Sequence, residues 1–479
     1  MKPLIVSNRG PIKQVGEAFE FSSGGLATAL HSLLSEMGGT WIWQEEPAVF
    51  AEAAAKGAIP DAYACGVADV PSSARQGFYE GVSNAVLWPL LHSFPSTSTI
   101  SEAPWADYVL ANQVYEKATR KYVDPDSLIW IHDYHLMLLP RMLRESAVGN
   151  PIGWFCHIPW PGVDVFEILP WREQLLEGLL GADVVGFHTS RYARNFMDCA
   201  RQLLGADVNR EAGAVTYEGH VTQVTVAPIG VDTQEFRQLG GSARCVAQRE
   251  ELRDALGGRR ILLGVDRLDY TKGILERIKG FARWLERHPE RRQEVVLVQV
   301  MVPSRTGVAA YAALKDEIDA LVGKVNGAFG MTGSVPIHYL YRGLEREDLV
   351  AHYTAADVAL VTPLRDGMNL IAHEYVASRP NGDGALILSE FAGASEHFPT
   401  ALKVNPYDLN GIARAITTAL DMSQAEQRAR MDRLWGQVQR LDVKRWAAGF
   451  ISSMQERMAR EVAESGIRRR PLVAQAGMR

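Results

Sequence analysis

Ile261-Leu262-Leu263-Gly264-Val265-Asp266-Arg267-Leu268-Asp269-Tyr270-Thr271-Lys272-Gly273 is the stretch on which the fold turns. Ile261–Val265 carries no charge and is short enough for a strand covered on both faces. A charged turn follows, and from Gly273 to Arg287 apolar residues recur at helical spacing. The same strand–turn–helix phrase repeats along the chain. Pro3–Ser7, Ser127–Ile131, Ile152–His157, Asp183–Phe187 and Thr222–Ala227 read as one series of strands. Ile261–Val265, Glu294–Met301, Asp357–Val361, Ala385–Ser389 and Leu402–Val404 read as a second. Gly25–Met37, Tyr134–Glu145, Trp171–Leu180, Gly273–Arg287, Ala309–Val322, Arg346–Ala355 and Leu409–Ala419 carry helical patterns between them. Such alternation predicts an α/β protein with doubly wound parallel sheets.

The chain has 479 residues, too many for one ordinary core. Pro228-Ile229-Gly230-Val231-Asp232 supplies turn residues after a strand and marks the seam. Residues 1–231 are expected to form one domain and 232–465 a second, with a polar helical stretch over Thr233–Arg259. The last helix, near Val443–Ala463, has no strand after it and is expected to pack back on the first domain. The tail 466–479, with Arg468-Arg469-Arg470-Pro471, is expected to be disordered. A net charge of -6 gives no basic field for nucleic acid. Cys65, Cys156, Cys199 and Cys245 show neither a disulfide framework nor a CxxC pair, which suits a reducing compartment. No apolar run approaches a membrane span, and Met1–Ser7 is too short an apolar core for a signal peptide. A cytoplasmic protein with small-molecule partners, no nucleic acid and no membrane is expected; homo-oligomerisation stays open.

Ligands of open parallel sheets bind beyond the carboxyl ends of the strands, so residues just after strands carry the argument. Arg267 and Lys272 follow Ile261–Val265 and precede a helix, an arrangement suited to a diphosphate. The alternative is a surface bridge from Arg267 to Asp266 or Asp269, and the pattern alone divides evenly between the two. After Asp357–Val361 comes Pro363-Leu364-Arg365-Asp366-Gly367-Met368-Asn369-Leu370, then Ile371-Ala372-His373-Glu374. The N–H groups of Met368, Asn369 and Leu370 could face an anion, Asp366 a sugar and Glu374 a ribose. An ordinary helix cap by Asp366 is the bland alternative. In the first half, Ser7-Asn8-Arg9-Gly10-Pro11 ends a strand, and Ser22-Ser23-Gly24-Gly25-Leu26 opens a helix in the manner of a phosphate cradle. His132, Asp133, His135 and His157 gather at strand ends among aromatics, as a sugar site requires, and their spacing is not that of HExxH. GxSxG and Walker motifs are missing, and no opposed pair of carboxylates for a glycosidase stands out.

These motifs resemble the trehalose-6-phosphate synthases of glycosyltransferase family 20 from Leu4 to about Phe450. The resemblance rests on Ser7-Asn8-Arg9, Gly24-Gly25-Leu26, Tyr79 with Ser83–Pro89, His132-Asp133-Tyr134, His157-Ile158-Pro159, Arg267–Tyr270, Lys272-Gly273, Asp366–Glu374 and Ser389–Ala394, in that order. It implies a GT-B fold, two Rossmann-like domains facing across a cleft that holds the active site. It implies that Arg267 and Lys272 neutralise the donor diphosphate, with Gly24 and Gly25 near the same phosphates. His157 and Asp366 would contact the donor glucose, Glu374 the ribose, and Met368, Asn369 and Leu370 phosphate or sugar through their backbone. Arg9, Tyr79, Trp88 and Arg305 would surround the acceptor phosphate, and Asp133 and Tyr134 the acceptor sugar. Transfer would run from UDP-, ADP- or GDP-glucose to glucose-6-phosphate with retention, giving α,α-trehalose-6-phosphate. Neither a cofactor nor a metal is implied, because the two cations take that role.

Three details depart from the family pattern: His373 where lysine is usual, the Val302-Pro303-Ser304-Arg305-Thr306 run, and a Ser7–Gly10 stretch that ends in Gly10-Pro11. Glycerol-3-phosphate as acceptor, a pseudo-sugar coupled through nitrogen, and a silent sugar-phosphate sensor are the rival readings. Retention of Arg267, Lys272 and Asp366 speaks against the sensor.

Overall fold

In the computed structural model, which describes residues 1–22, 25–304 and 309–465, the two series of apolar runs become two separate sheets. The first series opens with β1 (Lys2–Val6), the ribbon β2 (Ile12–Val15) and β3 (Ala18–Phe21), β4 (Thr40–Gln44) and β5 (Ala64–Ala68). It continues through β6 (Ser127–His132), β7 (Ile152–Phe155), β8 (Val184–Phe187), β9 (Asp207–Asn209), β10 (Ala214–Tyr217) and β11 (His220–Val226). All but the ribbon form one sheet in the order β5-β4-β1-β6-β7-β8-β11-β10-β9. It is parallel from β5 to β11 and ends in an antiparallel meander. β6, β7 and β8 are buried at every residue, which is why they read as unbroken apolar runs.

The second sheet is wholly parallel and holds β12 (Arg260–Arg267), β13 (Val295–Val302), β14 (Ile337–Leu340), β15 (Val358–Val361), β16 (Ala385–Ser389) and β17 (Leu402–Val404). Its order is β14-β13-β12-β15-β16-β17. From β12 the chain winds outward to β14, then returns to the other side of β12 with β15. The strand order therefore reverses between β12 and β15. In the first sheet it reverses between β1 and β6. Loops at such switch points diverge and leave a crevice, so the loops after β1, β6, β12 and β15 are the ones placed to hold ligands.

Helix Ile274–Arg287 shows how the second core is made. Ile274, Ile278, Phe281, Trp284 and Leu285 fall on one face and are buried against β12 and β13 residues such as Leu262, Leu297 and Met301. Burial of large apolar side chains contributes roughly 1.5–3 kcal/mol each.

Contacts divide the chain into one unit of Met1–Pro228 joined by the chain from Lys444 on, and another of Ile229–Val443. The expected boundaries, 231/232 and a second domain running to 465, are corrected accordingly. Gly230 lies within the second unit, where a Cβ would fall 1.4 Å from Leu441 O. The last helix, Val443–Ser465, packs on the first sheet through Phe450 and Met454, against the open faces of Gly153 and Gly186. Its Arg457 donates to Val221 O at 3.1 Å.

Several elements differ from expectation. β4, β5, β9, β10 and β14 had no place in the pattern, being three to five residues long and, in β9, β10 and β14, partly exposed. Thr233–Arg259 is two helices, Thr233–Gly240 and Ala243–Ala255, parted where Ser242 caps the second. Tyr134–Glu145 is a 3-10 turn, Tyr134–Leu136, and then a helix, Leu139–Glu145, with Pro140 in its first turn. The expected tail 466–479 lies outside the described residues. All four cysteines are free thiols. Among the described residues no helix is long and apolar enough to cross a membrane.

Candidate active site

In the second unit the turns after β12 and β15 are tied together by their backbones. The N–H groups of Leu364 and Arg365 donate to Thr271 O at 2.7 and 3.3 Å. Gly273, with φ 62°, comes so close to Thr362 O that a Cβ would stand 2.3 Å from it. Asp366 N–H donates to Phe391 O, Gly393 N–H to Asp366 O and Ala394 N–H to Met368 O. A Cβ at Gly393 would meet Gly367 O at 1.9 Å, so the Ser389–Ala394 run braces the 366–370 loop. Glycine is required at both positions, at the first for conformation and at the second for approach.

This frame gathers Lys272, Asp366, Asn369 and Glu374. Lys272 Nζ stands 2.5 Å from Asp366 Oδ2, and Asn369 Nδ2 donates to the same oxygen at 3.0 Å. Asp366 therefore does not cap the following helix: that helix is Ile371–Ala377, and its N-cap is Leu370. Asn369 is held at φ 66°, an uncommon conformation for a residue with a side chain. No acceptor from the described residues meets the N–H groups of Met368, Asn369 and Leu370. Arg267 is exposed at the end of β12 and pairs with neither Asp266 nor Asp269. Asp266 instead takes the buried guanidinium of Arg277, and Asp269 accepts from the N–H and hydroxyl of Thr271 at 3.0 and 2.8 Å. The surface-bridge alternative for Arg267 is thus not realised.

Arg277 is a residue the pattern did not single out. Fully buried, it bonds Asp266, Gln299 Oε1 at 3.0 Å, Thr362 Oγ1 at 3.1 Å and Lys272 O at 3.4 Å. One side chain thereby fixes the ends of β12, β13 and β15. A charge on the apolar face of a helix was its signal. Glu374, partly exposed in the first turn of its helix, accepts a 2.6 Å hydrogen bond from Tyr353. Burial raises its pKa, and the Tyr353 hydroxyl and Arg346 charge act against that rise.

In the first unit the residues after β1, β6 and β7 lie among aromatic rings. The Ser7 hydroxyl donates to Arg9 O at 2.7 Å and accepts from the Trp41 indole at 2.8 Å, which fixes the turn carrying Arg9. Arg9 Nη2 donates to the Tyr79 hydroxyl at 2.9 Å. Tyr79 lies on a π-helix, Gly77–Leu87, which leads directly into Trp88. Asn84 of that helix donates to Tyr79 O at 2.8 Å and accepts from the Tyr134 hydroxyl at 3.2 Å. The Trp88 and Tyr134 rings are 5.8 Å apart, and Tyr79 stacks on His135 at 5.9 Å. Wide turns of this kind recur at functional sites, yet nothing in the residue pattern marked one here.

Asp133 occupies φ 73°, a strained position for a non-glycine, and hydrogen bonds at its N–H, carboxylate and carbonyl hold it there. Its N–H donates to Phe155 O at 2.8 Å, its carboxylate accepts from His157 N–H at 3.3 Å, and its carbonyl from Trp154 at 3.2 Å. His132 Nδ1 lies 3.0 Å from His157 Nε2; the Trp446 ring neighbours both imidazoles, and the His188 ring neighbours His157. Burial pushes the His132 imidazole down to about 3 and His157 well below its ordinary range, so both are neutral near pH 7. His188 follows β8 as His132 ends β6, a repeat that sequence reasoning passed over. Gly24 and Arg305 lie outside the described residues; Gly25 begins helix Gly25–Met37.

The model of glycosyltransferase family 20 matches residues 1–456. A bifunctional trehalose-6-phosphate synthase/phosphatase of Thermoproteus tenax is 44% identical over 98% of this chain, which spans 65% of that relative's length. A trehalose-6-phosphate synthase of Mycobacterium leprae is 41% identical, over 96% of this chain and 95% of its own. The crystal structure of an α,α-trehalose-phosphate synthase (UDP-forming) from Burkholderia xenovorans, in complex with glucose-6-phosphate, superimposes with a TM-score of 0.84 at 32% identity. That match covers 95% of this chain and 100% of the other.

Proposed function

The chain belongs to glycosyltransferase family 20, and from that premise we propose that it moves glucose from a nucleotide-glucose to glucose-6-phosphate, forming α,α-trehalose-6-phosphate. UDP-glucose is the donor we expect first, because the Burkholderia xenovorans relative is UDP-forming; ADP- and GDP-glucose are the alternatives. The observation that carries this reading is the braced pair of turns after β12 and β15, with Lys272, Asp366 and Asn369 in bonding contact and Arg267 free to reach a ligand.

The bond between the glucose anomeric carbon and the donor phosphate oxygen breaks, and one to the acceptor hydroxyl forms on the same face. Negative charge grows on the departing diphosphate. Arg267 and Lys272 offset it, and the N–H groups of residues 368–370 add to the field. Asp366 shares Lys272 with the diphosphate and accepts from glucose hydroxyls. The departing phosphate oxygen takes the acceptor proton, so no protein nucleophile is needed and the two cations fill the place of a metal. His157, kept neutral, donates or accepts at a glucose hydroxyl without adding charge. Gly24 and Gly25 approach the donor phosphates and Glu374 the ribose. Arg9, Tyr79, Trp88 and Arg305 surround the acceptor phosphate, with Asp133 and Tyr134 at its sugar. Four free thiols fit a reducing cytoplasm.

The test is nucleoside diphosphate release from UDP-, ADP- and GDP-glucose, each with glucose-6-phosphate and with glycerol-3-phosphate. Release that depends on glucose-6-phosphate is expected. Release only with glycerol-3-phosphate, or with neither acceptor, overturns the reading.

A further inference from the structure

Tyr353 stands at the last turn of helix Arg346–Ala355 and is fully buried. Its hydroxyl donates to Glu374 Oε2 at 2.6 Å. A buried phenol needs an acceptor, and a backbone carbonyl would serve that need without burying a charge. Here the acceptor is a carboxylate, whose desolvation is costly, and whose other oxygen meets no partner among the described residues. Glu374 remains partly exposed, which leaves that second oxygen available to a ligand.

The helix end that carries the phenol is itself tied down. Arg379, buried just beyond the helix that carries Glu374, donates to Tyr353 O at 2.5 Å and Ala356 O at 2.7 Å. Ser378 Oγ donates to Glu374 O at 2.7 Å. The end of the first helix is thus tied twice to the second helix and the turn after it, once by the Arg379 side chain on backbone carbonyls and once by the Tyr353–Glu374 bond. A glutamate has three side-chain torsions, and a carboxylate that takes two neighbouring hydroxyls must present its plane to both. One short, charge-assisted hydrogen bond from a fixed donor removes that freedom before the ligand arrives.

We propose that Tyr353 is a positioning residue that aims the Glu374 carboxylate at the vicinal hydroxyls of the donor ribose. The proposal rests on the assignment of Glu374 to the ribose made above. Burial raises the pKa of both groups, which keeps the phenol a donor, while its hydrogen bond favours the ionised carboxylate that the diol requires.

The experiment compares kcat/KM for UDP-glucose and for its 3′-deoxyribose analogue in the wild type, Tyr353→Phe, Glu374→Gln and the double variant. Tyr353→Phe keeps the ring and its packing, and thermal melting confirms the fold of each protein. We expect the wild type to prefer the ribose donor, and Tyr353→Phe to lower that preference by about three- to tenfold with KM for glucose-6-phosphate unmoved. Adding Tyr353→Phe to Glu374→Gln should lower it no further, because the phenol acts through the carboxylate. A purely structural phenol would weaken both donors alike and leave the ratio intact; that result overturns the proposal while the ribose assignment stands. A wild type that treats the two donors equally overturns the ribose assignment itself, and the proposal with it. A ratio that falls further in the double variant also overturns it, since Tyr353 would then act by another route.

Discussion

The second unit builds the turns beyond its switch-point strands from charges, and the first surrounds its own largely with rings. Beyond β12 and β15 lie the buried Arg277–Asp266 pair, the Lys272–Asp366 pair and the exposed Arg267. About the ends of β1, β6 and β7 and on the π-helix lie Tyr79, Trp88, Tyr134, His135, His132 and His157, with Arg9 in contact with Tyr79. The contrast matches what each side has to do in the proposed reaction. A departing diphosphate changes charge and rewards fixed cations. A sugar ring changes little and rewards shape, flat apolar faces and neutral hydrogen-bonding groups.

The sharpest way to break that contrast is at Arg277. Its guanidinium is fully buried and bonded to Asp266, Gln299, Thr362 and Lys272. Arg277→Met leaves Asp266 charged and unpaired in the interior, which costs about 3–5 kcal/mol. Chemical unfolding should show that loss, and pairing the change with Asp266→Leu should recover much of it. A loss below about 1 kcal/mol would mean that apolar packing around Phe281 and Trp284, and not the charge network, holds these turns.

Arg267→Ala comes next and reports on chemistry alone. The side chain is exposed and bonded to neither neighbouring carboxylate, so the thermal midpoint should hardly move. Turnover should fall about 10²–10³-fold, the usual loss when one preorganised donor to developing charge is removed. Turnover within about tenfold of wild type would remove the diphosphate assignment.

The rings make the opposite prediction about pH. His132 is buried, with its pKa at about 3 against an ordinary 6.5. Between those values the unfolded chain binds a proton that the folded chain refuses, so stability is full above 6.5 and is lost as pH falls below it. The slope is at most about 1.4 kcal/mol per pH unit for this group. Urea unfolding from about pH 7 to about pH 5, above the range where carboxylates titrate, should show that slope in the wild type and less of it in His132→Gln. An unchanged slope would mean that His132 does not stay neutral in the fold.

The same contrast decides what could be read from sequence. The charged turns follow strands within a few residues: Arg267 and Lys272 after β12, Asp366 through Glu374 after β15. Local spacing, the glycines and the carboxylates made them stand out. Tyr353 and Arg277 were missed because they sit inside helices, where a tyrosine or arginine at helical spacing looks like core or surface; only the fold shows which carboxylate each one meets. On the ring side, His132, Asp133 and His157 were visible at strand ends. Tyr79 and Trp88 entered through family resemblance, since a π-helix has no simple residue period to detect and its register emerges from packing against Tyr108, Tyr134 and His135. Edge strands such as β14, short and half exposed, likewise owe their place to the neighbours they pair with rather than to their own pattern.

Tyr79→Phe sharpens the contrast at its weakest point, where the ring side touches a charge. The Tyr79 hydroxyl accepts from Arg9 Nη2 at 2.9 Å near the surface, while its ring stacks on His135. Removing the oxygen leaves the stack and the π-helix in place, so stability should be unaffected. Arg9 then loses the partner that steers it, and the bond proposed from the phenol to an acceptor phosphate is lost as well. Such an exposed hydrogen bond contributes about 0.5–1.5 kcal/mol, so KM for glucose-6-phosphate should rise about two- to tenfold. KM for the donor should stay where it is, because every donor contact assigned to the charged turns remains. Steady-state kinetics with each substrate varied in turn separates the two constants. A rise in the donor constant instead would show that the first unit's rings serve the nucleotide-glucose, and the division of labour between rings and charges would have to be redrawn.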